Sequence, residues 1–199
     1  FWDTLAAAHG RNQFPAGSPK FTELSLAVQA RLETLAMACF SQLDEAFGTT
    51  LTADARHGEH MLRTSRYLAK GDPDRVLFPE HYDFGLLTFF GGGAAPGLEG
   101  EYGGSWYPMT GLGPGHLLVG AGNTLKTYRT CRPDAPGLAA EGEPLLSRGF
   151  HHRVTAANTG EDDRLSFNLF TEPRADVTLP NGQNAGARLQ ASVERIRPT

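Results

Sequence analysis

The sequence predicts a mainly β protein, a sandwich or jelly roll with flanking helices. Three observations carry this. From Lys20 to Phe47 the apolar residues recur at helical spacing. After His60 that period gives way to short strand-like runs. These runs are many, closely spaced, and separated by glycine and proline turns, as in two-sheet β folds.

In order, residues 1–17 read as irregular, with Pro15 and Gly17 as breakers. Ser18-Pro19 reads as an N-cap followed by proline at the first helical position. The long helix then carries Phe21, Leu24, Val28, Leu32, Leu35, Cys39 and Leu43 on one stripe, and Gly48 ends it. Leu51 to Glu59 predicts a shorter helix, with His57 and His60 as surface or capping residues rather than ligands. Strand candidates follow at Met61 to Leu68, Phe78 to Phe90, Tyr102 to Met109, His116 to Val119, Leu125 to Thr130, Phe150 to Ala156 and Arg164 to Glu172. Gly91 to Gly100 reads as a glycine-rich loop, and Asn158 to Asp163 as a hairpin turn. Ala187 to Ile196 reads as a closing helix, since Leu189, Val193 and Ile196 share a face.

The chain has 199 residues, enough for one domain with a sizeable core. We expect a single domain over 1–199, made of a helical part (1–60), a β core (61–173) and a C-terminal extension (174–199). The net charge is −4 with no Lys/Arg cluster, which argues against nucleic acid or an anionic membrane as main partner. No apolar run is long enough to span a bilayer, and no signal-peptide pattern opens the chain. Cys39 and Cys131 form neither a disulfide framework nor a zinc ribbon, so a reducing, cytoplasmic setting is expected. Gly111 to Gly115 and Gly120 to Gly122 lack the lysine and the strand-to-helix context of a phosphate loop. They read as tight turns, with His116 structural or exposed.

The chemistry lies in three places. His81 and Asp83 are two residues apart, so a strand puts both on one face. They are either a buried hydrogen-bonded pair or two metal ligands. A second histidine downstream favours metal, and His151-His152 supplies it. Two imidazoles and one carboxylate bind ferrous iron on one side and leave the other open. Arg164 and Ser166 are a second i, i+2 pair, and a guanidinium fork with a hydroxyl suits a carboxylate.

The order H-x-D, H-R-V, R-x-S resembles the 2-oxoglutarate/Fe(II)-dependent dioxygenases, and their isopenicillin N synthase-like branch most. The resemblance covers the chain from about Gly10 to about Pro173. It implies a double-stranded β-helix, a jelly roll of about eight strands, backed by the long N-terminal helix. It implies Fe(II) held by His81, Asp83 and His152, with 2-oxoglutarate and O2 as cosubstrates. A small molecule would be hydroxylated, desaturated or cyclised, with release of succinate and CO2. His152 opens the H-R-V triplet and is preferred over His151, which points to the outer face. Arg164 and Ser166 would grip the distal carboxylate of 2-oxoglutarate. Tyr67 matches a tyrosine that touches the same carboxylate, although Leu68 stands where the family has proline; the alternative is a core tyrosine. The alternative functions are a 2-oxoglutarate-independent oxidase of the same fold and a silent small-molecule binding module. The family also carries a portion ahead of the long helix; Phe1-Trp2 opens directly in an apolar segment, which leaves a short member or a chain lacking its first part.

If Tyr67 faces the pocket, Arg63 and Ser65 share its face while Thr64 and Arg66 point away. An inward Arg63 must find an anion, either Glu80 or Glu101 or a carboxylate on the substrate. Arg63 and Ser65 are therefore the candidate substrate-binding residues, and the substrate is expected to be a small molecule that can be an acid. Phe84, Phe89, Phe90, Trp106, Phe167 and Phe170 are expected mostly in the core, with those near the mouth lining the pocket. Cys131 to Leu145 is expected to form a lid or rim over the metal.

Overall fold

Val28, Leu32, Ala36, Phe40, Leu43 and Phe47 recur at steps of three and four, which a helix gathers into one stripe. They form the packed face of α1 (Pro19–Phe47) in the computed structural model of the chain. The structure describes residues 14–68, 75–92, 97–110, 113, 115–131, 149–156 and 163–196. Packing begins later along α1 than the sequence pattern indicates, because Phe21 and Leu24 are exposed, and Leu35 falls off the packed face. Pro19 takes the first helical position, but the Ser18 side chain makes no capping bond. Gly48 ends the helix in the left-handed region, at φ 63°. Asp44 then caps α2 (Leu51–Ala55), accepting from the N–H groups of Leu51 at 2.7 Å and Thr52 at 2.9 Å.

Among the described residues eight strands follow: β1 (Met61–Tyr67), β2 (Val76–Tyr82), β3 (Leu87–Gly91), β4 (Leu98–Tyr102), β5 (Ser105–Pro108), β6 (Leu118–Ala121), β7 (His151–Thr155) and β8 (Arg164–Phe170). They build two four-stranded antiparallel sheets, β1-β8-β3-β6 and β2-β7-β4-β5. This is the expected jelly roll. Period two sends alternate residues of the first sheet to different cores. Leu62, Leu87, Phe89, Phe167 and Leu169 pack under α1. Phe90 and Leu118 meet Phe78, Leu98, Phe150 and Val154 of the opposite sheet. The chain closes with α3 (Ala185–Ile196). Among the described residues no helix is long and apolar enough to cross a membrane.

Three segments differ from expectation. The run Phe78 to Phe90 is two strands in different sheets, divided at Asp83 to Leu86. Tyr102 to Met109 falls across the β4–β5 hairpin, where Gly103 and Gly104 turn at φ 60° and 79°. Leu125–Cys131 is a 3-10 helix rather than a strand. It buries Leu125 and Tyr128 together, and the Tyr128 hydroxyl donates to Asp54 of α2 at 2.9 Å. Residues 1–13, the middle of the glycine-rich loop (93–96), all but the last residue of the hairpin turn (158–162) and all but the first residue of the expected lid (132–145) lie outside the described residues.

Candidate active site

β2 and β7 are neighbours, and their register sets His81 directly opposite His152. The two rings are 4.3 Å apart. Each ring is aimed by its own strand. His81 Nδ1 lies 2.8 Å from the Pro79 carbonyl oxygen, and His152 Nδ1 lies 2.9 Å from that of Phe150. A carbonyl can only accept, so Nδ1 carries the proton in both rings. Each Nε2 is left with a free lone pair, the form that binds a metal.

Asp83 sits one residue past the end of β2. The turn that carries it is pinned on both sides. Asn123 N–H donates to the Asp83 carbonyl at 2.8 Å, Thr124 N–H to Phe84 at 2.9 Å, and Leu86 N–H to Thr171 at 2.8 Å. The approach is close enough that a Cβ on Gly122 would strike the Gly85 carbonyl. Thr88 Oγ1 donates to Asp83 Oδ2 at 2.7 Å and orients the carboxylate. His81 Nε2 is then 3.4 Å from Asp83 Oδ1, and His152 Nε2 is 3.9 Å from Asp83 Oδ2. One ligand atom from each of the three groups lies within 4.8 Å of the others. Donors about 2 Å from a shared ion are at most about 4 Å apart, so the three groups need close in only slightly to share one. It is the one metal-capable cluster among the described residues. His57 is exposed, while His60 Nδ1 accepts the Glu172 N–H at 3.2 Å.

The electrostatics suit a cation. Burial pushes the Asp83 carboxyl up, but the facing His81 side chain, the field of His152 and the hydrogen bond from Thr88 outweigh it and leave it below its ordinary value. Burial holds His152 below the usual histidine range, against the pull of Asp83. His151 points to the outer face, stacked on Tyr82 at 4.5 Å with Glu101 3.8 Å away. Outside as well are Trp106, under the Arg153 guanidinium at 4.3 Å, and exposed His116.

Beside the cluster opens a cleft between β1 and β8 of one sheet and β2 and β7 of the other. Tyr67 and Arg164 line it together, paired across β1 and β8. Arg164 is 5% exposed, and its guanidinium lies 5.3 Å from the Tyr67 ring centroid. It makes no ion pair among the described residues, and its Nε has no partner. Burial lowers its pKa, partly opposed by Tyr67. Ser166 is buried two residues on, and its Oγ is also unpartnered. Arg63 and Ser65 line the same cleft, and Arg66 turns away to pair with Asp163 at 2.5 Å. One expectation fails here: Arg63 faces the cleft yet remains exposed, so no desolvation forces an anion on it. β1 is an edge strand, and its long side chains reach water around the edge. Glu101 is engaged with Gly104 and His151 instead, and Glu80 is exposed.

Sequence reasoning missed Thr88 and Asn168. Asn168 continues the spacing of Arg164 and Ser166, lines the cleft, and has a buried, unpartnered Oδ1. Of the aromatics, Phe90 and Phe170 line the cleft, while Phe89 and Phe167 pack under α1 and Phe84 borders a separate hollow beside Arg188.

Solved structures share this fold. A 2OG-Fe(II) oxygenase family protein from Caulobacter crescentus aligns with a TM-score of 0.71 at 20% identity, over 94% of this chain and 63% of that chain. A full-length Neurospora crassa protein in complex with alpha-KG gives 0.70 at 17%, over 90% and 63%. The Arabidopsis thaliana dioxygenase for auxin oxidation 1, in complex with 2-oxoglutarate, gives 0.57 at 21%, over 73% and 50%. The fold is that of the 2-oxoglutarate/Fe(II) oxygenases. The chain spans less than two thirds of the length of these structures. No protein-family model and no curated protein matches it.

The back of the Asp83 turn carries a buried acid, Glu172. Glu172 Oε1 is 2.7 Å from where a Gly85 Cβ would be. Burial, helped by the field of Asp83 and opposed by Arg188, pushes its pKa from 4.5 up to about 8. Between those values the folded protein holds a proton that the unfolded chain has lost. Stability should therefore fall as pH rises through this window, by about 1.4 kcal/mol per pH unit. Glu172→Gln should flatten the slope, leaving the metal-free variant more stable than the parent at pH 8 and with little advantage at pH 5. Parallel pH profiles in urea denaturation would refute this.

Proposed function

We propose that this protein is an Fe(II)- and 2-oxoglutarate-dependent dioxygenase of the isopenicillin N synthase-like branch, acting on a small molecule by hydroxylation, desaturation or cyclisation. The observation that carries the reading is the buried Arg164 guanidinium, which faces the His81–Asp83–His152 cleft with no carboxylate among the described residues to meet it. A buried cation without a counter-ion is costly unless a ligand supplies one. A dicarboxylate does so, with one end free to approach a metal. The branch rests on the order of the three motifs, and the reading takes 1–199 as one unit with every proposed site residue in 61–173.

His81 Nε2, His152 Nε2 and an Asp83 oxygen would hold the metal, and the donor set suits Fe(II). Bound iron supplies the activation of O2 that couples 2-oxoglutarate decarboxylation to substrate oxidation. The chain's own part is positional. The Pro79 and Phe150 carbonyls keep both imidazoles in the binding tautomer. Thr88 fixes the carboxylate, while Arg164 and Ser166 offer donors to the distal carboxylate. Tyr67 stacks under the guanidinium and limits its freedom.

The test is succinate release from 2-oxoglutarate by the Fe(II)-loaded protein, followed with a library of small molecules for stimulated turnover. Turnover that depends on both Fe(II) and 2-oxoglutarate supports the reading over an oxidase or a silent binding module. Failure to bind 2-oxoglutarate in the metal-loaded state would sink it.

A further inference from the structure

We propose that the primary substrate is a carboxylic acid with a neutral hydrogen-bond donor, a hydroxyl or an amide N–H, beside its carboxylate, and that Arg63 and Asn168 read these two groups. The inference rests on the cleft being the active site proposed above.

The register of β1 and β8 sets up the site. Tyr67 faces Arg164, and four residues away along both strands Arg63 faces Asn168. All four side chains line the cleft. Four residues of strand span about 13 Å. The cleft therefore has a cation toward each end, and neither has a carboxylate partner among the described residues. The two ends differ in their water. Arg164 is closed off and suits a cosubstrate that is enclosed. Arg63 is exposed at the mouth and suits a ligand arriving from solvent.

Arg63 is also held in place. Its guanidinium lies 5.4 Å from the Phe78 ring centroid, and Phe78 lies 4.7 Å from the His81 ring. An anion on Arg63 is thus one aromatic ring away from the metal cluster, within reach for a small molecule.

Asn168 adds the second group. Its Oδ1 is buried and accepts no hydrogen bond. Leaving such an acceptor empty is costly, and a ligand donor would remove that cost. Cross-strand partners hold their Cβ atoms about 4.5–5.5 Å apart, so the anion and the donor must be close together on the ligand. An ammonium donor would be repelled by the nearby guanidinium, which leaves a hydroxyl or an amide N–H. N-acylated amino acids and 2-hydroxy acids have this pattern.

The experiment titrates wild-type protein, loaded with Mn(II) and 2-oxoglutarate, with a panel of N-acetyl amino acids and 2-hydroxy acids. Their methyl esters and the matching acids without the donor are run beside them. At least one panel acid should bind, with its ester and its donor-free analogue each at least tenfold weaker. Arg63→Met should weaken the acid to the level of its ester, and Asn168→Leu should weaken it to the level of the donor-free acid. If either variant fails to fold, the three-way comparison on wild-type protein decides. Esters binding as well as acids, or no panel acid binding at all, would overturn the inference. Calorimetry of 2-oxoglutarate on the same sample separates the two readings. If 2-oxoglutarate binds and the acids do not, this inference alone falls; if 2-oxoglutarate does not bind, the oxygenase reading falls with it.

Discussion

Replacing Asp83 by alanine should reduce divalent-metal affinity about a thousandfold or more. Asp83 is the only anion in the cluster, beside two imidazoles that arrive neutral. Two unit charges 4 Å apart attract by about 4 kcal/mol at the effective dielectric of a protein site, and a divalent ion in direct contact with a carboxylate gains at least that. Each 1.4 kcal/mol is tenfold in affinity. Asp83→Asn keeps the shape and an oxygen but not the charge, and should bind metal between the alanine variant and wild type. Thr88→Val leaves the charge and removes the bond to Oδ2, so the loss should be only about 10–100-fold, as for other groups that orient a ligand. Titration with Mn(II) or Co(II) reads all three without oxidation. Wild-type affinity in Asp83→Ala would mean that the three groups are a hydrogen-bonded cluster and that metal binds elsewhere or not at all.

The parts of the site that follow from side-chain parity were legible in the sequence. Arg164, Ser166 and Asn168 fall on one face because β8 is an unbroken strand, and only the third escaped notice. Parity also placed Arg63 and Ser65 on the cleft side of β1, and Arg66 outside. Exposure was not legible, because it depends on β1 being an edge strand, which no local pattern reports. The break within Phe78 to Phe90 was hidden for a related reason. β3 is buried at every residue, so alternation gives no sign that the chain has changed sheets. Gly85 was the available signal, in a turn where a side chain would meet Thr171 and Glu172. In Leu125–Cys131 the three-residue spacing of Leu125 and Tyr128, both fully buried, was the missed sign of a 3-10 turn. For Thr88 there was no local signal at all. Its bond to Asp83 exists only because the turn folds the end of β2 back over β3.

Arg164→Met should remove 2-oxoglutarate binding while leaving the ligand-free protein at least as stable as the parent. The two halves of this expectation have one cause. The guanidinium is buried and has no ion-pair partner among the described residues, so its desolvation is offset when a ligand carboxylate arrives. Methionine keeps much of the stem over Tyr67 and avoids the cavity that alanine would open. Losing one side of a buried guanidinium–carboxylate contact typically costs about 3–5 kcal/mol, or two to four orders of magnitude in affinity. A ligand at a hundred times its Kd stabilises a protein by about 2.7 kcal/mol. Thermal unfolding with metal should therefore show a clear 2-oxoglutarate-dependent rise in Tm for wild type and none for the variant at the same concentration. Metal affinity should persist in the variant, since Arg164 is not part of the His–Asp–His cluster. A variant that keeps the ligand-dependent rise would place the carboxylate away from Arg164. A large loss of stability in the ligand-free variant would instead make Arg164 a structural residue, and the argument for a dicarboxylate cosubstrate would lose its support.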